Sequence, residues 1–179
     1  ISVANQKGGV GKTTTSVNLS ASLAVAEKKT LLIDIDPQGN ATSGLGIPKE
    51  KITGKSIYQA LIDQANVKDL ILDTELDFLK IIPSDIDLIG AEIELVPYTD
   101  REVRLKKSLQ QIKEAFDYLI IDCPPSLGLI TVNSLTASDS VLIPLQCEYY
   151  PMEGLSQLLK TIKLIKENLN PDLTIEGIL

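Results

Sequence analysis

The chain has no histidine among its 179 residues, and only two cysteines. Without an imidazole, Ser-His-Asp and Cys-His nucleophile systems, His-ligated zinc and imidazole acid–base catalysis are excluded together. Cys123 and Cys147 show no Cys-x-x-Cys or paired spacing, which suits two buried thiols in a reducing cytosol. No apolar run approaches the ~18 to 20 residues that a membrane span needs. The start lacks the basic, then apolar, then small-residue order of a secretory signal. Basic residues are the minority, 17 Lys+Arg against 24 Asp+Glu, for a net charge of −7. That balance speaks against coating nucleic acid with the whole surface and leaves a local basic patch open. Internal repeats, low-complexity tracts and linkers are also missing.

What remains is the composition of a globular domain, 44% hydrophobic and 23% charged, long enough to bury a core. Short apolar runs at Ile1–Ala4, Thr30–Ile35, Phe78–Ile82, Tyr118–Ile121, Val141–Leu145 and Thr174–Leu179 are nearly continuous in Val, Ile and Leu. Such runs predict parallel strands covered on both faces. Amphipathic stretches separate them. In the last, Met152, Leu155, Leu158, Leu159, Ile162, Ile165 and Leu169 recur at steps of three and four, while Lys160, Lys163 and Lys166 take the other face. Arg101–Ala115, rich in charge of both signs, predicts a surface helix. Alternating strand and helix imply right-handed crossovers and an α/β fold with a mostly parallel, twisted sheet flanked by helices. Pro37–Ser56 is the longest irregular segment, and a long loop in a compact domain is usually functional.

Lys7-Gly8-Gly9-Val10-Gly11-Lys12-Thr13-Thr14 joins the first strand to a helical stretch, Thr13–Glu27. Glycines let successive backbone N–H groups curl inward toward phosphate oxygens, and the helix start adds its positive dipole end. Lys12 supplies a cation for the β- and γ-phosphates, and the Thr13 hydroxyl is placed to ligate Mg²⁺. The pattern departs from G-x-x-x-x-G-K-[ST], because Gln6 stands at the first glycine and Lys7 precedes the double glycine. Six fixed positions arise by chance in a chain of this length on the order of once in 10⁵. Strand 30–35 ends in Asp34 and Asp36, two apart and therefore on one face of an extended segment, before Pro37. Tyr118–Ile121 runs likewise into Asp122, in the form of a Walker B strand whose acid holds Mg²⁺. Pro124-Pro125-Ser126 follows as a stiff turn expected to sense the γ-phosphate. Hydrolysis without histidine must rest on positioning and electrostatics, with Lys12, Lys7 and Mg²⁺ neutralising charge and Asp36 orienting water.

These motifs, with Asp34-Ile35-Asp36-Pro37-Gln38-Gly39-Asn40, Asp122-Cys123-Pro124-Pro125-Ser126 and Pro144–Tyr150 continuing into Met152-Glu153-Gly154, resemble the ParA/Soj branch of the deviant Walker A (MinD/ParA) ATPases. The resemblance covers almost the whole chain. It implies a single P-loop NTPase domain of SIMIBI type over residues 1–179, truncated at both ends. It also implies an ATP-dependent homodimer that sandwiches two nucleotides. In that family Lys7 matches the signature lysine that reaches the partner's phosphates, and Asp36 matches the acid of hydrolysis. Thr13 and Asp122 match the Mg²⁺ positions, Asp36 joins them as a metal candidate, and Glu148 matches the position that contacts the partner's nucleotide ribose. The cofactor-binding set is then Lys7, Gly8, Gly9, Val10, Gly11, Lys12, Thr13, Thr14 and Glu148, for ATP with Mg²⁺. The family further implies a cytoplasmic, nucleoid-associated bacterial protein. Its ATP dimer binds DNA without sequence preference, and a ParB-type centromere-binding partner stimulates hydrolysis. DNA- and adenine-contacting residues are expected beyond Leu179. Two rival readings stand beside it: a MinD-like membrane-associated positioning ATPase, and an ATP-gated DNA-binding regulator with little turnover. An iron–sulfur relative would need cysteine ligands that Cys123 and Cys147 do not supply, and nothing suggests the acceptor pocket of a ligase or amidase.

Overall fold

The computed structural model describes residues 1–146 and 151–179, the side chains of residues 151–153 excepted. Cys147 and Glu148 therefore lie outside the described residues. Among the described residues seven strands form one sheet: β1 (Ser2–Val3), β2 (Thr30–Asp34), β3 (Leu72–Asp73), β4 (Leu79–Ile82), β5 (Tyr118–Asp122), β6 (Ser140–Ile143) and β7 (Thr174–Ile178). Their order is β3-β4-β2-β5-β1-β6-β7. Every neighbouring pair is parallel except β3 with β4. The helices are α1 (Lys12–Val25), α2 (Asn40–Gly44), α3 (Lys49–Ile52), α4 (Ile57–Leu61), α5 (Leu88–Glu94), α6 (Arg104–Gln110), α7 (Leu129–Thr136) and α8 (Pro151–Asn168).

The apolar strands alternate between two cores. Leu31, Ile33, Ile82 and Ile121 join the cluster that takes Leu61, Leu88, Leu105, Leu135 and Leu158 from the helices. Leu32, Ile81 and Ile120 point the other way, into a smaller cluster with Val17, Leu19 and Leu23 of α1. Each fully buried Leu or Ile stabilises the fold by about 1.5–3 kcal/mol, so the central strands are held from both faces. The edge strand β7 differs: Ile175 and Ile178 are exposed.

Two expectations change. Pro37–Ser56 is not irregular throughout, because it carries α2 and α3, pieces of five and four residues. Arg101–Ala115 is not one surface helix: α6 gives way to a short 3₁₀ turn at Lys113–Ala115, and Arg104 is buried. Its guanidinium donates to the Leu61 carbonyl at 2.7 Å, pairs with Asp63 at 2.6 Å and lies 4.1 Å from the centre of the Tyr98 ring. Of the lysines on α8, Lys166 donates to the Leu173 carbonyl at 2.6 Å and so ties the helix to the start of β7.

For the site, what matters is where strands end. Val3 of β1 and Asp34 of β2 both lie in register with Asp122 of β5. Three carboxyl ends thus meet at one place, which is where open parallel sheets bind their ligands.

Candidate functional site

Beyond β1 the chain turns through residues 5–11 into α1. Asn5, buried, fixes this turn from below: its Oδ1 accepts the Lys7 amide at 3.0 Å and its Nδ2 donates to the Pro144 carbonyl at 2.7 Å. From above, Gln146 Nε2 donates to the Gly9 carbonyl at 3.0 Å. Gly9 and Gly11 take φ of 74° and 91°, left-handed backbone that a side chain would strain. Gly11 caps α1, whose first turn has no side-chain cap and no acid. Its amides and the positive end of its dipole are therefore left to an anion.

Lys12 is 7% exposed, and its ammonium donates to the Lys7 carbonyl at 2.8 Å, folded back over the turn. Burial pulls its pKa down, and the nearby carboxylates of Asp122 and Asp36 oppose that pull. Asp122 is fully buried, and its Oδ1 accepts Ser16 Oγ at 2.8 Å. Burial pushes its pKa up to about 6; the hydroxyls of Thr13 and Ser16 hold it back, Asp36 raises it and Lys12 lowers it. Its Oδ2 is buried and has no hydrogen-bond partner among the described residues. An orphaned carboxylate oxygen costs stability unless something else satisfies it. Beside the Thr13 hydroxyl, that oxygen fits Mg²⁺, which takes one or two protein oxygens and completes its shell with phosphate and water. Among the described residues no three His, Cys, Asp or Glu side chains form a ready metal cage.

The two aspartates of β2 part company. Asp34 is spent on structure: Oδ1 accepts the Asp36 amide at 3.1 Å, and Oδ2 accepts the amide and hydroxyl of Thr42 at 2.8 and 2.7 Å. Burial still pushes its pKa up to about 7 against the pull of those Thr42 bonds. Asp36 bears on both Lys12 and Asp122, whereas Asp34 interacts with Asp122. Asp36 Oδ1 accepts the Gln38 amide at 2.9 Å and its carbonyl accepts the Gly39 amide at 2.9 Å, a tight turn that sets the carboxylate in place.

The structure thus brings together Lys12, Thr13, Asp36 and Asp122. Val10 is buried under the turn, Lys7 and Gly11 are half-buried, and Gly8, Gly9 and Thr14 line its exposed lip. A side chain at Gly8 would come to 3.9 Å from Pro125, so the turn after β5 borders the loop. Ser16 and Thr42, which no motif singled out, hydrogen-bond the acids Asp122 and Asp34. Ser16 could have been found, because it sits one helical turn after Lys12 and shares its face. Thr42 could not, since its partner Asp34 is set by tertiary packing.

A glycine turn from the first parallel strand into a helix, a buried lysine within it and an acid closing the adjacent strand define a P-loop nucleoside-triphosphatase. A family model described as an AAA domain matches residues 1–175. The chain is 62% identical over its full length to the sporulation initiation inhibitor protein Soj of Bacillus subtilis, covering 70% of it. It is 60% identical over its full length to the chromosome partitioning protein ParA of Myxococcus xanthus, covering 63% of that protein. Among solved structures, the cobyrinic acid a,c-diamide synthase of Mycobacterium smegmatis, with bound ATP analog and magnesium, superposes with a TM-score of 0.95 at 42% identity. That match covers 99% of this chain and 72% of the other. The chain belongs to the ParA/Soj family of partitioning ATPases, P-loop ATP hydrolases that use ATP and Mg²⁺. No helix among the described residues is long and apolar enough to cross a membrane.

Proposed function

We propose that this chain binds Mg–ATP in the Lys7–Thr14 loop and hydrolyses it to drive chromosome or plasmid partitioning. The observation that carries the reading is the buried Asp122 Oδ2, without a hydrogen-bond partner among the described residues, beside the uncapped first turn of α1. An anion fits one and a hard cation the other. The amides of Gly8 to Thr14 hold the phosphate tail, and Lys12 leaves the Lys7 carbonyl to neutralise the β- and γ-phosphates. Thr13 and Asp122 would hold Mg²⁺, with Asp36 on the same side of the site, and the ion would offset the negative charge of the β- and γ-phosphates. Asp36 orients the attacking water, which displaces ADP from the γ-phosphorus and yields inorganic phosphate. Its fixed turn is the positioning this chemistry depends on. Lys7 reaches the phosphates of a second subunit in an ATP-dependent homodimer, and Glu148 meets that subunit's ribose.

The finer biology follows the family. The ATP dimer binds DNA without sequence preference, a ParB-type partner stimulates turnover, and the protein works in the cytoplasm on the nucleoid. The DNA surface lies mainly in the part of its relatives that this chain does not span. Identity of 62% to a Soj protein against 42% to the diamide synthase favours partitioning over amide synthesis. Replacing Asp36 with Ala tests the assignment: nucleotide binding should persist while steady-state phosphate release falls at least 10²-fold, a typical general-base loss. Wild-type turnover in that variant would remove Asp36 from the reaction.

A further inference from the structure

The chain leaves the sheet just after Ala4, whose amide donates to the Leu142 carbonyl of β6 at 3.1 Å. The next rung of a parallel ladder would join the Gln6 amide to the Pro144 carbonyl. A side chain makes that rung instead: Asn5 Nδ2 donates to the Pro144 carbonyl at 2.7 Å, while its Oδ1 accepts the Lys7 amide at 3.0 Å. Asn5 is 3% exposed. Among side chains of this length only a carboxamide carries both donor and acceptor, so neither Asp nor Ser can make the two bonds together. The turn needs such help, because Gly8, Gly9 and Gly11 have no side chains to hold it and much backbone freedom to lose. Its backbone is pinned from around it: the Lys7 N–H by Asn5, the Lys7 carbonyl by Lys12 at 2.8 Å, and the Gly9 carbonyl by Gln146 at 3.0 Å. Asn5 and Gln146 both link the turn to the exit of β6. Leu145, between their two anchor points, donates its amide to the Leu179 carbonyl at 2.7 Å, which seats that exit beside β7. Gln6 adds a third approach, since its Oε1 lies 3.9 Å from where a side chain at Gly154 of α8 would begin.

We propose that Asn5 and Gln146 are positioning residues for ATP hydrolysis, a two-point clasp that makes the phosphate loop and residues 144–146 respond to phosphate as one unit. The inference rests on the nucleotide site proposed above. When Lys12 turns from the Lys7 carbonyl to the phosphates, Asn5 is what keeps the Lys7 peptide in place. Gln146 meanwhile draws the Gly9 carbonyl toward itself, and a carbonyl oxygen turned instead toward the anion would repel it. Amides fixed in advance bind phosphate without first being ordered, and a loop held still keeps the reacting atoms in register. The same two bonds carry any shift of the loop into the stretch that leads from β6 toward α8.

The probe is inorganic tripolyphosphate with Mg²⁺, which has no ribose or base to touch residues 144–146, read by ¹⁵N amide shifts of the full chain. The amides of Leu145 and Gln146 should move with those of Gly9 and Gly11 and reach half-change at the same concentration. Asn5→Ser keeps an acceptor for the Lys7 amide and loses the reach to Pro144. Gln146→Ala opens the other bond at an exposed position, where the fold is not at risk. Each should weaken tripolyphosphate about fivefold, the usual worth of a hydrogen bond between neutral groups. With both replaced, the Leu145 shift should vanish while the loop amides still saturate. Should Asn5→Ser fail to fold, Gln146→Ala alone should both lose affinity and shrink the Leu145 shift, with its urea midpoint unmoved. In the wild type, silent Leu145 and Gln146 amides beside a moving loop would overturn the clasp and leave the nucleotide site standing. Silent loop amides would remove the site, and the clasp with it. Wild-type affinity in Gln146→Ala, or an undiminished Leu145 shift in the double variant, would also overturn the clasp.

Discussion

Replacing Thr42 with Val removes one oxygen from the junction that carries the Asp36 turn. The Thr42 hydroxyl donates to Asp34 Oδ2 at 2.7 Å and accepts the Ser84 amide at 3.1 Å, at a position 1% exposed. Losing a buried hydrogen bond to a carboxylate costs about 1.5–3 kcal/mol, and leaving the Ser84 amide without a partner about 1–3 kcal/mol more. The Thr42 amide bond to Asp34 survives, so the expected loss is about 3–5 kcal/mol. With a urea m-value of about 2 kcal/mol/M, the unfolding midpoint should fall by about 1.5–2.5 M. Thr42→Ser keeps the hydroxyl and should lose no more than about 1.5 kcal/mol, the cost of one deleted methyl group. The functional readout is separate. Asp34 also accepts the Asp36 amide, so a loosened Asp34 should lower kcat several-fold more than it changes nucleotide affinity. A midpoint shift below about 0.5 M, or equal losses for Val and Ser, would refute the clamp.

Lys7→Ala should leave monomer nucleotide affinity within a few-fold and weaken ATP-dependent dimerisation, read by sedimentation. Normal dimers would remove the trans role. Asp122→Asn should raise the Mg²⁺ concentration needed for half-maximal ATP binding about 10- to 100-fold, the scale on which metal sites respond to lost partners. An unchanged Mg²⁺ requirement would dissociate Asp122 from the metal. Burial pushes the Cys123 thiol up to about 12, so almost no thiolate exists at pH 8. In a Cys147→Ser background, iodoacetamide should label the native chain hardly at all and the urea-unfolded chain readily. Fast native labelling would contradict the burial.

Much of this was legible because parallel strands buried on both faces read as plain apolar runs, and Leu31-Leu32-Ile33 is one. The loop at residues 7–14 was legible for a different reason: phosphate binding demands specific residue types at fixed spacing. β3 was not, since two residues paired antiparallel to Ile81 and Lys80 leave no pattern. Pieces as short as α2 and α3 fall below the length at which helical periodicity shows. Arg104 looks like any charged helix residue in sequence, and its burial depends on Leu61 and Asp63, some forty residues earlier. The separation of Asp34 from Asp36 follows the same logic. Period-two geometry puts both on one face, and only Thr42 determines which of them is spent on structure.

The most direct measurement is a ¹⁵N amide titration of the chain with a non-hydrolysable ATP analogue and Mg²⁺. The amides of Gly9, Gly11, Lys12 and Thr13 should move most and together, and Lys12→Ala should abolish the response. Saturable binding that leaves those four amides unmoved, or that persists unchanged in Lys12→Ala, would place the nucleotide elsewhere and contradict the account.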